Sequence, residues 1–235
     1  MADVVSYKEI DFEAAVEADL LEAGYLRGEP TDFDASLALI PKDLFAFIQA
    51  TQRELWAQLN KNHPTGLETG LLDALTKKLN DRGTLEVLRH GFKFYGKRIA
   101  TAFFRPAHGL NPDLEAKYAA NRLVITRQVK FNPDGEDSVD MMVSLNGLPI
   151  ATLELKNSLT GQTVQHALKQ YQYDRDPKLP LFWFKKRALV HFAVDTDLVY
   201  MTTKLARKET YFLPFNRGSE DGGAGNPTAL GEPYK

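Results

Sequence analysis

Apolar positions recur at helical spacing through the first eighty-odd residues and at strand spacing afterwards. Phe12, Val16 and Leu20 form one stripe, preceded by Ser6 and Glu9 at capping-box spacing and closed by Gly24. A second helix is predicted from Pro41, with Leu44, Ile48, Leu55 and Leu59 along one side, and a third from about Leu67 to Arg82 ahead of Gly83. From Thr84 the period changes to two: Leu85 to Tyr95, Arg98 to Phe104, then Leu123, Ile125, Val129 and Phe131 alternating with polar residues. Between them Asn111 and Pro112 predict a short capped helix. Val139 to Leu145 and Leu148 to Lys156 read as the strands of a hairpin around Asn146-Gly147. A helix near Thr163 to Arg175 and two strands, Ala188 to Val194 and Leu198 to Thr202, complete the pattern. The expectation is a mixed α/β fold: a helical N-terminal part, 1–83, packed on a core, 84–212, whose mixed central sheet is flanked by helices. Gly222-Gly223-Ala224-Gly225-Asn226-Pro227 has linker composition, so 213–235 is expected to be a linker or tail.

Composition narrows the function classes. At 235 residues and 43% hydrophobic content the chain can bury a full core. Twenty-nine Lys and Arg against 31 Asp and Glu leave a net charge of about −2, so no global attraction pulls this protein to nucleic acid. Any DNA affinity must come from a local patch or a partner. Lys185-Lys186-Arg187, with Lys204, Arg207 and Lys208, are the candidates, although such clusters more often cover a solvated surface. The absence of cysteine excludes disulfides and thiolate metal sites and is compatible with the reducing cytoplasm. The N-terminus lacks a basic start with an apolar stretch, and no run of about 18 apolar residues occurs, so a cytoplasmic protein without membrane contact is expected.

The candidate chemistry lies on the hairpin. Asp140 is followed fourteen positions later by Glu154-Leu155-Lys156. With a simple two-residue turn Asp140 would face Leu153 and Glu154 would point to the other side of the sheet. A three-residue loop, with Asp140 opposite Thr152, or a bulge puts Asp140, Glu154 and Lys156 on one face. Mg²⁺ takes oxygen ligands and keeps several waters, so Asp140, Glu154 and the Leu155 carbonyl suffice beside a substrate phosphate, with Mn²⁺ able to substitute. Such an ion would acidify the attacking water and offset transition-state charge, while Lys156 orients or deprotonates that water. In-line hydrolysis of a phosphodiester is the implied reaction. The bland alternative is one more exposed acid–base pair on a solvated strand, which 26% charged residues produce by chance.

Asp-x13-Glu-x-Lys, split across a hairpin, resembles the PD-(D/E)xK nuclease core of restriction endonucleases. Leu88-Arg89-His90-Gly91-Phe92-Lys93-Phe94-Tyr95-Gly96, Phe104-Arg105-Pro106-Ala107-His108-Gly109-Leu110-Asn111-Pro112, Leu153-Glu154-Leu155-Lys156-Asn157 and Ala188-Leu189-Val190-His191-Phe192-Ala193-Val194-Asp195 resemble the N-terminal region of type I restriction enzyme R subunits, from about residue 8 onward. The resemblance implies a Mg²⁺-dependent endonuclease domain, with 84–212 as nuclease core. It implies catalytic Asp140, Glu154 and Lys156, and cleavage of double-stranded DNA in a complex with methyltransferase and specificity subunits. ATP would be used only by a motor region not in this chain, toward which 213–235 would lead. A nuclease-like fold serving as a non-catalytic nucleic-acid-binding or docking module is the other reading.

Two departures from the family pattern stand out. Asp140 follows Val139, whereas the literal Pro133-Asp134 lies in Asn132-Pro133-Asp134-Gly135, which is turn chemistry. Asp137, just ahead of the strand, is the closer rival for a metal. The Gln-x3-Tyr motif is also missing from Gln165 to Tyr173, leaving Gln170 and Tyr171 as candidates for DNA binding or site support. Glu13 and Glu17, one helical turn apart, could reach a metal but are ordinary helix carboxylates and are set aside. Gly91-x4-Gly96-Lys97 mimics a phosphate-binding loop, but Arg98 replaces the metal-binding hydroxyl and the bulky alternating Phe92 to Tyr95 says strand. His63, His90, His108, His166 and His191 are scattered without helical pairing, so zinc is not expected.

Overall fold

A computed structural model describes residues 2–157 and 161–215, the first ten of these as backbone alone. The helices are α1 (Ala2–Glu22), α2 (Pro41–Thr51), α3 (Arg53–Asn62), α4 (Leu67–Arg82), α5 (Thr84–His90), α6 (Pro112–Ala119) and α7 (Val164–Tyr173). The strands are β1 (Leu26–Arg27), β2 (Phe92–Phe94), β3 (Lys97–Ile99), β4 (Leu123–Lys130), β5 (Ser138–Leu145), β6 (Leu148–Leu155), β7 (Val190–Val194), β8 (Val199–Thr202) and β9 (Leu213–Pro214). Seven strands form one mixed sheet in the order β1-β4-β5-β6-β7-β8-β9, while β2 and β3 make a separate ribbon. The β1–β4 and β6–β7 pairs are parallel and the remaining neighbours antiparallel.

Each sheet face has its own cover. Phe12, Val16 and Leu20 of α1 pack on Ile125, Met141, Val143, Ala151 and Leu155, as the stripe predicted. On the other face Val164, Ala167 and Tyr171 of α7 join Val129, Phe131, Val139, Met142 and Ala193. The third core is built by α2 to α5 with the ribbon, and Leu148 at the hairpin end of the sheet belongs to it.

Several element boundaries follow the sequence reading closely. The third helix ends at Arg82 before Gly83, and the Asn111 side chain caps α6 by accepting from the Asp113 and Leu114 amides. Others were decided by packing. The helix from Pro41 breaks at Gln52, whose side-chain amide instead exchanges two hydrogen bonds of 2.9 Å with the backbone of Ala100. The same exchange gives the stretch after Ile99 a side-chain partner in place of a neighbouring strand, so the expected strand to Phe104 stops early. Leu85 to Tyr95 was expected as one strand, yet its first half is α5, which buries Val87 and Leu88. A seven-residue segment fits either period, and packing against α4 settles it. The Leu213-Pro214 pair of the expected tail forms β9 against β8; the tail from 216 onward lies outside the described residues.

Candidate active site

Asn146 and Gly147 both have left-handed backbones, φ 52 and 83, and make a two-residue turn that pairs Leu145 with Leu148 and Ser144 with Pro149. Had that register continued, Glu154 would face away from Asp140. Instead the ladder shifts, Val143 pairing with Ala151 and Met141 with Leu153, so that Ile150 is the extra residue of a bulge. Pro149, which has no N–H to give to a ladder, stands beside it. The shifted register brings Asp140 across from Glu154, rather than from Thr152 as a three-residue loop would have done. A short turn plus a bulge therefore achieves what the sequence required of the hairpin.

The turn itself is held in place. Ile40 donates its amide to the Gly147 carbonyl at 2.8 Å, and a Cβ on Gly147 would collide with the Ile40 carbonyl oxygen. The buried Asn146 side chain donates to Thr101 O and Asn121 Oδ1, both at 2.9 Å, and accepts from the Arg122 amide at 2.7 Å. The hairpin end of the sheet is thus tied to the helical third of the molecule, and the register cannot slip without breaking these bonds.

At the other end of the hairpin the predicted residues meet. Asp140 Oδ2 accepts from the Leu155 amide at 2.7 Å and lies 3.9 Å from Lys156 Nζ. Glu154 is 0% exposed, and its Oε1 accepts from Arg175 Nε at 2.6 Å. Its Oε2 is buried and has no partner. Burial first, and then the negative charge of Asp140, push the Glu154 carboxyl up to about 8, against the opposing pull of Arg175 and Lys156. An orphaned carboxylate oxygen beside a second carboxylate suits a hard cation that brings its own waters, since it supplies the positive charge and the ligand vacancy these oxygens lack. Asp140, Glu154 and the Leu155 peptide are the donors available. Among the described residues no group of three or more acidic or histidine side chains is arranged to hold a metal.

Arg175 was missed by the sequence reading. Besides Glu154 it donates to Ser138 O at 2.9 Å and lies 5.1 Å from the centre of the Phe131 ring. It follows α7 by two residues, and no pattern in the chain announced it. On the opposite side Glu13, buried, accepts from Arg127 at 3.0 and 3.1 Å and from Gln128 at 2.8 Å. Its carboxyl is raised by burial, with Asp140 adding to the shift. Glu13 was set aside as an ordinary exposed carboxylate; it is buried within electrostatic reach of Asp140. Glu17 is taken up by Arg27 at 3.1 Å. Gln128 has φ 51 in the middle of β4, between the residues that pair with Met141 and Val139, so a strained backbone position flanks Asp140.

Tyr171 is fully buried, which removes it from any surface DNA could touch. Its hydroxyl shares a 2.8 Å hydrogen bond with Thr152 Oγ1, which in turn meets His191 Nδ1 at 2.8 Å. That chain packs α7 onto β6 two residues before Glu154. Gln170 Oε1 is buried without a partner. Asp134 sits in its expected turn, with its amide on Asn132 Oδ1, and Asp137 accepts from Asn132 Nδ2 in the same loop. Gly91 to Arg98 is a hairpin rather than a phosphate loop. Of the proposed basic patch, Arg187 drops out. It is 1% exposed and donates to Leu37 O at 2.7 Å and Asn80 Oδ1 at 3.0 Å, a structural cation that burial holds down at about 10. Lys185 and Lys204 instead gather at the exposed Phe184 ring, Lys208 lies over Tyr173, and Arg207 pairs with Asp176.

A mixed sheet covered by helices on both faces, with an acid pair and a lysine at the end of one hairpin, defines a nuclease-like α/β fold. Residues 7–210 match the family described as the type I restriction enzyme R protein N terminus, and the chain belongs to that family. Membership marks the nuclease region of a restriction enzyme subunit, one that works with other subunits and DNA. No curated protein matches the chain. Among the described residues no helix is long and apolar enough to cross a membrane.

Proposed function

We propose that this chain is the Mg²⁺-dependent endonuclease domain of a type I restriction enzyme R subunit, hydrolysing DNA phosphodiester bonds without reading sequence once the complex stops translocating. The observation that carries the reading is the bulge at Ile150, which sets Asp140 across from Glu154 and leaves Glu154 Oε2 buried without a partner. Asp140 and Glu154 would hold the cation, with Mn²⁺ as a substitute, and the Leu155 carbonyl is the third donor in reach. When bound, the cation supplies Lewis-acid polarisation of the phosphodiester and neutralises developing charge. Lys156 brings a positive charge to Asp140, orients the attacking water and adds positive charge where the transition state gains negative charge. The Leu155 amide fixes the Asp140 carboxylate, and Arg175 fixes that of Glu154. Double-stranded DNA, methyltransferase and specificity subunits, an ATP-driven motor outside this chain and a cytoplasmic setting complete the reading.

One observation favours the second reading, a non-catalytic docking module. Glu154 already has a cation at 2.6 Å in Arg175, so the site can be electrostatically complete as a structural pair. Calorimetric titration of Mn²⁺, with and without a short duplex, separates the two. The endonuclease reading expects binding that Asp140→Ala and Glu154→Ala each abolish in folded protein. Absence of binding even with DNA would hand the lead to the docking module.

A further inference from the structure

A second concentration of charge lies away from the acid pair, on the helical third of the molecule. α4 and the β2–β3 ribbon border a cavity of about 520 Å³ lined by Lys77, Lys78, Lys93, Arg98, His90 and Asp81 over an apolar floor that includes Phe92. Lys93 and Arg98 are directly opposite one another in the ribbon. Like charges in cross-strand register destabilise an antiparallel pair, so folding gives no reason for them. Nor does neutralisation: among the described residues Lys77, Lys78 and Lys93 have no ion-pair partner, and Arg98 donates only to the His90 carbonyl at 2.7 Å. Asp81, the one carboxylate on the wall, is engaged by Arg82 at 2.9 Å. An adjoining cavity of about 420 Å³ shares His90, Gly91 and Arg98 and adds Arg89, which extends the line of cations. Tyr95, 73% exposed at the ribbon tip, stacks on the His63 ring at 4.1 Å.

We propose that this cationic cleft between α4 and the ribbon is a contact for the phosphate backbone of duplex DNA, separate from the acid–lysine site. Cations on two facing walls that continue into a neighbouring cavity suit a ligand with negative charge at regular intervals. A single small anion needs donors converging on one point. With a net charge of about −2 over the whole chain, attraction of a polyanion needs a local cluster of this kind.

The test is anisotropy of a short fluorescein-labelled duplex, in EDTA so that no cutting occurs, titrated over a range of salt concentrations. Lys93→Ala/Arg98→Ala and Lys77→Ala/Lys78→Ala proteins are compared with the parent chain. Each double variant is expected to lower the slope of log affinity against log salt by about two and to weaken binding roughly tenfold or more. Urea midpoints are expected to hold or rise in the ribbon variant, because a repulsive pair is removed. Unchanged slope and affinity in folded variants overturns the proposal, as does a parent chain whose duplex binding does not depend on salt. Loss of binding to poly-glutamate without loss of duplex binding also overturns it and marks the cleft as a protein contact. Because the titration in EDTA needs no metal at the acid pair, failure of the cleft and failure of the nuclease reading are seen separately.

Discussion

Glu154 shows how a single buried carboxylate can be both a liability and the centre of a site. It has no exposure, one oxygen on Arg175 and one on nothing. Replacing Arg175 by Ala removes the guanidinium from Glu154, from Ser138 O and from Phe131 together. A loss of about 2 kcal/mol in urea unfolding is expected, limited because the carboxyl can take up a proton. Lys156→Ala has the opposite profile. If the endonuclease reading is right, cleavage falls by at least about a hundredfold while Mn²⁺ and duplex binding persist; an intact restriction phenotype in cells carrying this change would sink the catalytic assignment. His191 supplies a pH dependence. Burial holds it down at about 3, below the ordinary value of about 6.5 that applies in the unfolded chain. As pH falls through 6.5 the unfolded state gains a proton that the native state refuses. Its contribution is therefore intact above about 6.5 and is lost progressively as pH falls toward about 3. Urea midpoints between pH 6 and 4 should fall less steeply for His191→Gln than for the parent protein, and parallel slopes would show that His191 is not the group responsible.

At the scale of elements, the decisive unit is the β5–β6 hairpin. Its tight turn was legible in Asn146-Gly147, and so was the demand for an odd residue count, because Asp140 and Glu154 share a face only if the count changes. Which device changes it was not legible, since a three-residue loop and a bulge satisfy the same parity. Pro149 and the anchoring of Gly147 by Ile40 choose the bulge, and Ile40 is remote in sequence. Gly147→Ala combines a positive φ with a collision against Ile40, whereas Gly66, at φ 75, has open space around its Cβ position. Thermal unfolding should show Gly147→Ala losing more than about 1 kcal/mol beyond the loss at Gly66→Ala. Equal losses would mean the turn is not pinned by α2's approach.

For the whole molecule, α1 is the element whose role reaches furthest. It covers Ile125, Met141, Val143, Ala151 and Leu155 on one sheet face and carries Glu13 to Arg127 and Gln128 next to Asp140. A protein lacking residues 1–22 is expected to expose that face, bind the dye ANS, and lose any Mn²⁺ affinity along with its cooperative unfolding transition. Retention of a sharp transition without dye binding would show that the sheet is complete on its α7 side alone.

The sequence by itself determined the mixed α/β class, the glycine stop of α4, the Asn111 cap of α6 and the α1 stripe, and it singled out Asp140, Glu154 and Lys156 as candidates, because periodicity, capping and residue chemistry are local properties. The tertiary structure alone decided where short segments of ambiguous period became helix or strand, as at Leu85 to Tyr95. It also decided that Arg187 is a buried tie rather than a surface charge, and that Arg175 and Glu13 stand beside the acid pair. Those outcomes depend on contacts between residues far apart in the chain, such as Arg175 with Glu154 and Glu13 with Arg127. No window of sequence contains both partners.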